Sequence, residues 1–444
     1  MRMYGKEITK VFDEKGIKIW DTVRIEKSGI YYEGIVMPRT EAGDENTLVV
    51  KQKDGYNIGI GIKGAKIEKI ASSGQKPEPT LPKKRVSPGL SKVSLLYTGG
   101  TIGNKVDYKT GGVYALTKPE ELLDEVPELA GIANIDPQKI SSVASEDMTS
   151  SNWAKIASEA ARALNSGSKG IIVTIGTDTM HYAAAALSFM LEGLTGPVVL
   201  TGAQRSSDRG SSDAFQNLIC SAHIAAKSDI AEVGICMHST SSDGKCSFIR
   251  GTKVRKMHTS RRDAFKPVNS KPIAYVDVNG EIQYGSGYSR TGGSSKVEAR
   301  TGFDEKVALI KAYPGSDPGI IDYYTGKDYK GIILEGTGLG HVPNFTEDRA
   351  KSWLPEVTDA INSGVIVGMT SQCLYGRVNP NVYRTLRMLS AAGVVYCEDM
   401  LPEVAYVKLG WLLGNFKADI AKEKLNKNLA GEITGRTLYE EFTD

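Results

Sequence analysis

A chain of 444 residues, 40% hydrophobic and 24% charged, is long enough for two or three domains, each with a buried core. Its formal net charge of +3 gives no strong overall field for nucleic acid or membrane, and no apolar run reaches the roughly 20 residues that span a bilayer. Five cysteines without a CxxC pair and five scattered histidines argue against a disulfide framework or a metal site, and for a reducing cytoplasm.

The first residues, Met1-Arg2-Met3-Tyr4-Gly5-Lys6, lack the apolar core of a secretion signal. Residues 1–72 read as a small β domain. Alternating apolar stretches at 17–25, 30–37, 46–51 and 57–62, separated by Lys-Ser-Gly, Asp-Glu-Asn and Asp-Gly turns, predict a meander or small barrel. Residues 1–90 carry 17 basic against 12 acidic side chains. That excess suits either a solvated surface or a docking face for a protein or RNA. Four prolines with Ser, Gly and Lys make 73–90 a linker.

From 91 to 300 strands alternate with helices. The runs at 93–96, 170–175, 197–201 and 233–237 are continuously apolar, as in sheets covered on both faces, and helical patterns fall at 153–164, 180–191 and 214–226. Such alternation predicts a parallel sheet with crossover helices. A Gly- and Ser-rich connector at 285–295 leads to a second, smaller α/β domain over 301–415, with strands at 307–310, 331–334, 365–369 and 394–396. Its Glu335-Gly336-Thr337-Gly338-Leu339-Gly340-His341 lacks the third glycine of a dinucleotide loop and reads better as a tight turn. Residues 416–444, rich in Lys, Glu and Ala, read as a helical tail on the surface.

Polar residues gather where strands end. The strand at 93–96 gives way to Tyr97-Thr98-Gly99-Gly100-Thr101-Ile102-Gly103, whose glycines permit a sharp turn or close approach to a ligand. Alone, that is also what an ordinary Gly-Gly turn looks like. Ile175-Gly176-Thr177-Asp178-Thr179-Met180 repeats the pattern at the next strand, although Asp178 has helix capping as a simpler role. Ser145-Glu146-Asp147-Met148 and Lys253-Val254-Arg255-Lys256-Met257-His258-Thr259 complete the polar sets. A threonine hydroxyl is a weak nucleophile without a basic or electropositive neighbour, and a lysine held by an aspartate is one way to supply it.

Together Thr98-Gly99-Gly100-Thr101-Ile102, Gly176-Thr177-Asp178-Thr179-Met180 and Leu200-Thr201-Gly202-Ala203-Gln204-Arg205 closely resemble the bacterial-type L-asparaginase/glutaminase family, over about residues 93–414. The resemblance implies two parallel-sheet α/β domains preceded here by the small β-barrel-like domain. It also implies hydrolysis of a side-chain amide through an acyl-enzyme, with release of ammonia and no cofactor. By the same resemblance Thr101 is the nucleophile, Thr177, Asp178 and Lys256 form its Thr-Lys-Asp set, and Ser145, Glu146 and Gly100 bind substrate. A loop tyrosine is also expected, either Tyr114 or Tyr108. Family members complete their site with a neighbouring subunit, which implies a homodimer contributing the 336–341 loop and Ser371-Gln372-Cys373.

The extra residues before Val93 resemble those of the D-type family of archaeal glutamyl-tRNA(Gln) amidotransferase subunits. That likeness implies a glutaminase that passes ammonia to a partner E subunit. The partner would bind ATP, Mg and most of the tRNA, in a heterotetramer with two copies of each subunit. A free-standing cytoplasmic L-asparaginase with an accessory amino-terminal domain is the alternative. A non-enzymatic binding protein on the same scaffold is a third.

Overall fold

A computed structural model describes residues 4–37, 46–52, 57–72, 87–106, 113–115, 119–124, 126–206, 212–293, 296–439 and 442. Most of the linker reading at 73–90 lies outside the described residues.

The amino-terminal unit is an antiparallel sheet of five strands in the order Asn57–Gly61, Thr47–Lys51, Ile30–Val36, Thr22–Lys27, Lys66–Ala71. The fifth strand and a helix over Lys6–Lys15 are additions to the sequence reading. The helix was hidden because it buries only Ile8 and Phe12, four residues apart, and then stops at Gly16 in the left-handed region. A stretch so short carries almost no periodicity. Ile8 and Phe12 pack with Val23, Ile25, Val36, Leu48 and Ile67 in a core of their own.

The large unit is an eight-stranded sheet. Its order is Ile282–Tyr284, Ala274–Asp277, Lys245–Arg250, Val233–His238, Val198–Thr201, Gly170–Thr174, Lys92–Tyr97, Asn134–Lys139. The last five of these are mutually parallel; four are the continuous apolar runs, and the fifth, the half-buried edge strand Asn134–Lys139, is an addition to the sequence reading. The first three are antiparallel, so the sheet is mixed rather than purely parallel. The cause is local: residues 239–244 are too few for a crossover helix, and the chain can only fold straight back. Leu95 and Ile172 are fully buried on one side of this sheet, and each such side chain contributes about 1.5–3 kcal/mol of burial.

The chain runs from Lys92–Tyr97 to the edge strand Asn134–Lys139, then returns to the other side of the first strand as Gly170–Thr174. Successive connections therefore diverge between Lys92–Tyr97 and Gly170–Thr174. A crevice opens at the carboxyl ends of strands at such a switch point. The 98–101 and 175–179 loops flank it.

The small unit is a four-stranded parallel sheet: Val307–Lys311, Gly331–Gly336, Ile366–Ser371 and Val395–Tyr396 in that order. Its 337–341 segment is a tight turn, closed by Thr337 N–H to His341 O at 2.8 Å and Gly340 N–H to Thr337 O at 3.0 Å. The helix Pro402–Asn415 packs against three strands of this sheet and along the alanine-rich helix Met180–Met190 of the large unit, joining the two.

The tail corrects the sequence reading. After the helix Ala418–Leu425 it turns inward, and Glu432 is completely buried. Glu432 pairs with the equally buried Lys408 at 2.6 Å and accepts the Leu429 and Ala430 N–H groups. Those extra donors offset the desolvation that a buried ion pair must overcome. A high Lys and Glu content suggested a solvated helix because composition does not reveal that two opposite charges will be buried together.

Candidate active site

Backbone contact rather than side-chain chemistry first brings the site together. Gly100 has φ +88°, and a Cβ there would sit 2.5 Å from Gly176 N and 2.6 Å from Ile175 C. Only glycine permits both the conformation and the approach. Gly176 is closed in turn: a Cβ would meet Ser145 Cβ at 2.7 Å. At Gly202 it would meet Ile175 O at 2.6 Å and Thr177 Cγ2 at 3.1 Å. The Thr98–Thr101, Ile175–Thr179, Ser145 and Thr201–Arg205 segments are thus packed backbone to backbone. Further bonds fix them. Thr98 Oγ1 donates to Thr174 O at 2.8 Å, and Thr179 Oγ1 donates to Ser145 O at 2.5 Å. The buried Asp213 carboxylate accepts Gln204 N–H at 3.0 Å and Arg205 N–H at 3.1 Å.

Thr101 opens a short 3-10 turn, Thr101–Gly103, directly after Gly100, and is half-buried. Thr177 is buried. Lys256 comes from the two-stranded ribbon Val254–Lys256/Phe265–Pro267, and its Nζ donates to Thr177 Oγ1 at 2.9 Å and to Asp178 Oδ1 at 2.6 Å. Asp178 therefore holds the lysine; no side-chain cap bond forms at the start of the Met180–Met190 helix. The lysine side chain is 9% exposed, whereas the aspartate is 67% exposed and faces the open crevice. Ser145 is buried, and its hydroxyl donates to the exposed Glu146 carboxylate at 3.3 Å. Tyr114 lies on the second strand of a hairpin, opposite Lys105, just after the Thr101 loop. Tyr108 lies outside the described residues.

A hydroxyl, a lysine amine and a carboxylate in series are the groups that a proton relay uses. Among the described residues no group of three or more His, Cys, Asp or Glu is arranged to hold a metal ion, and no helix is long and apolar enough to cross a membrane. A cavity of about 740 Å³ lies elsewhere, between Arg250, Arg290, Trp411 and Phe416, and none of Thr177, Asp178 or Lys256 lines it.

Two side chains beside the site, His181 and Glu403, escaped the sequence reading, and Arg255 was quoted in a polar set without a role. His181 and Arg255 adjoin motif residues. Glu403 is far away in the chain and carried no signal. Burial first, then the charges of Arg255 and Lys256, lower the His181 pKa to about 4. The folded protein thus keeps His181 neutral where the unfolded chain protonates it, near pH 6.5. Stability is lost as pH falls from about 6.5 toward 4. Between pH 6.5 and 5 this one group removes about 2 kcal/mol. His181→Gln should reduce the acid-side fall in unfolding free energy by that amount; an unchanged slope would show that His181 is protonated in the folded state.

Residues 92–288 match the family model described as Asparaginase, N-terminal, residues 306–424 the Glutaminase/Asparaginase C-terminal domain, and residues 17–70 the GatD N-terminal domain. Two similar relatives are D subunits of glutamyl-tRNA(Gln) amidotransferase. That of Thermococcus kodakarensis is 49% identical, over 98% of this chain and 99% of its own length. That of Pyrococcus furiosus is 50% identical with the same coverage. Among solved structures, the thermostable L-asparaginase of Thermococcus kodakarensis superposes with a TM-score of 0.68 at 30% identity, covering 78% of this chain and 99% of the asparaginase. L-asparaginase I of Vibrio cholerae superposes with a TM-score of 0.67, also at 30% identity and with the same coverage.

Proposed function

The chain belongs to the family of glutamyl-tRNA(Gln) amidotransferase D subunits, and from that membership we propose that it is the glutaminase half of a tRNA-dependent amidotransferase. The observation that carries this reading is the full-length likeness, which includes the 17–70 domain that the asparaginase family models leave unmatched. The alternative, a free-standing L-asparaginase, draws on the solved asparaginases, which cover 78% of the chain.

In the proposed reaction Thr101 Oγ attacks the side-chain amide carbon of glutamine. The Lys256–Thr177–Asp178 series accepts the hydroxyl proton and returns one to the departing nitrogen. The C–N bond breaks, ammonia leaves, and a glutamyl ester remains on Thr101. Water then cleaves the ester to glutamate. The N–H groups of the two threonine loops hold the carbonyl oxygen as it gains charge. Ser145 bonds the substrate α-carboxylate and Glu146 the α-ammonium, with Gly100, packed against Gly176, offering its backbone to the substrate. Ammonia serves a partner E subunit, which uses ATP and Mg to convert Glu-tRNA(Gln) to Gln-tRNA(Gln). This chain itself needs no cofactor. It works as a homodimer within a cytoplasmic heterotetramer, tRNA being held mainly by the partner.

The test is to assay the purified chain with and without an E-type partner and Glu-tRNA(Gln). Glutamine hydrolysis should rise by about tenfold or more when both are present, with Gln-tRNA(Gln) formed. Asparagine hydrolysis that exceeds glutamine hydrolysis and ignores the partner would favour the free-standing asparaginase.

A further inference from the structure

Alternate residues of a strand point to opposite sides, so within Val254–Lys256 Arg255 faces away from Val254 and Lys256, and Lys253 directly precedes the strand. Lys253 and Arg255 are both gripped from the small-domain side. Lys253 Nζ lies 2.7 Å from Asp399 Oδ2, with side chains 1% and 0% exposed, and Thr434 N–H donates to the same carboxylate at 3.0 Å. Arg255 Nη1 lies 3.5 Å from Oε2 of Glu403, which is 2% exposed in the first turn of Pro402–Asn415. The other Glu403 oxygen lies 3.9 Å from His181 Nε2, and His181 is the second residue of the helix that follows Thr177-Asp178.

One carboxylate thus faces both elements that carry the proton-transfer set: the ribbon of Lys256 through Arg255, and the Thr177–Asp178 loop through His181. Among the described residues neither Glu403 Oε1 nor His181 Nδ1 has a hydrogen-bond partner. A buried carboxylate with one oxygen unbonded is costly, and its place in the first turn of Pro402–Asn415 offsets only a small part of that cost through the helix dipole. Its neighbours supply the reason. Burial raises the Glu403 pKa and Arg255 opposes that shift, so the guanidinium is what favours the charged form.

We propose that Glu403, acting through Arg255 and alongside the Lys253–Asp399 anchor, is a positioning residue that sets Lys256 Nζ against Thr177 and Asp178. The inference rests on the amide-hydrolysis reading of the same site. A lysine displaced by about 1 Å from a reacting proton costs on the order of a hundredfold in rate while substrate affinity, set by Ser145 and Glu146, stays as it was.

The experiment measures steady-state glutamine hydrolysis by the full-length chain. Glu403→Gln keeps shape and removes charge; Arg255→Gln removes the other partner. Each should lower kcat by about tenfold or more with KM within about twofold. Arg255→Lys should restore kcat to within about threefold, because a contact at 3.5 Å without a hydrogen bond needs charge and not the guanidinium fork. The double Gln variant should be no slower than the worse single one, since both break one contact. Wild-type kcat in both single variants, a loss expressed in KM alone, or multiplying losses in the double variant would overturn the proposal. Thr101→Val in the same assay separates the two levels. If it is inactive while Glu403→Gln keeps full kcat, this inference alone fails; if Thr101→Val is active, the hydrolysis reading fails and takes this one with it.

Discussion

Thr101→Val should abolish glutamine hydrolysis, lowering kcat by about a thousandfold or more with little change in unfolding midpoint. Valine keeps the β-branched shape, and the half-buried position after Gly100 accepts a methyl where the hydroxyl was. What disappears is the atom proposed to bond to the amide carbon. Thr177 does not replace it: its hydroxyl already accepts from Lys256 at 2.9 Å, and it is buried beneath the crevice. Free ammonia should still support Gln-tRNA(Gln) formation by the partnered variant, because the proposed loss lies wholly upstream of ammonia. Retention of more than about a tenth of the wild-type glutaminase rate would remove Thr101 from the nucleophile's role.

The second large effect is expected at Lys256. Lys256→Met keeps the apolar stem and should lower kcat by about two to four orders of magnitude, the usual range for a lost proton-transfer group. Stability should scarcely change. The partner carboxylate, Asp178, is 67% exposed, and losing an ion pair with one end in water costs about 0–1 kcal/mol. Lys256→Arg distinguishes charge from proton transfer. Guanidinium keeps its proton at neutral pH, so arginine should fail to rescue. A fully active Lys256→Arg enzyme would leave the residue a purely electrostatic task.

Both effects concern residues that differ in how far the chain itself announces them. The Thr98–Thr101 and Gly176–Thr179 loops are legible because each is a local event: an apolar strand buried on both faces, then glycines, then hydroxyls at the edge where parallel sheets bind ligands. The four strands of the small domain and three of the helices of the large one are legible for the same reason, since period and face are recorded in adjacent residues. The amino-terminal helix Lys6–Lys15 was not, because Ile8 and Phe12 alone make no period. Nor was the antiparallel half of the large sheet. A strand such as Lys245–Arg250 has the same residues whichever way it pairs, and the brevity of 239–244 decides the matter only once the neighbour is known.

The chemistry divides along the same line. Motifs name Thr101, Thr177 and Asp178, but a lysine 78 residues beyond Asp178 meets it only because a ribbon folds over the crevice. Glu403 belongs to the other extreme. Its own stretch reads as the start of a helix, with an acid in the first turn where the dipole favours one. That it is buried against Arg255 and His181 follows from the docking of Pro402–Asn415 between the small sheet and the helix Met180–Met190. Burial of a charge is a property of what surrounds it, and the surroundings of Glu403 are assembled from segments far apart in the chain. The sequence by itself determined the loops and their hydroxyls, through local pattern. Lys256 was named only through the family likeness; tertiary structure alone decided how it meets them and which carboxylate stands behind it, because ion pairs between distant segments exist only after sheet order and domain docking have brought them within a few ångströms.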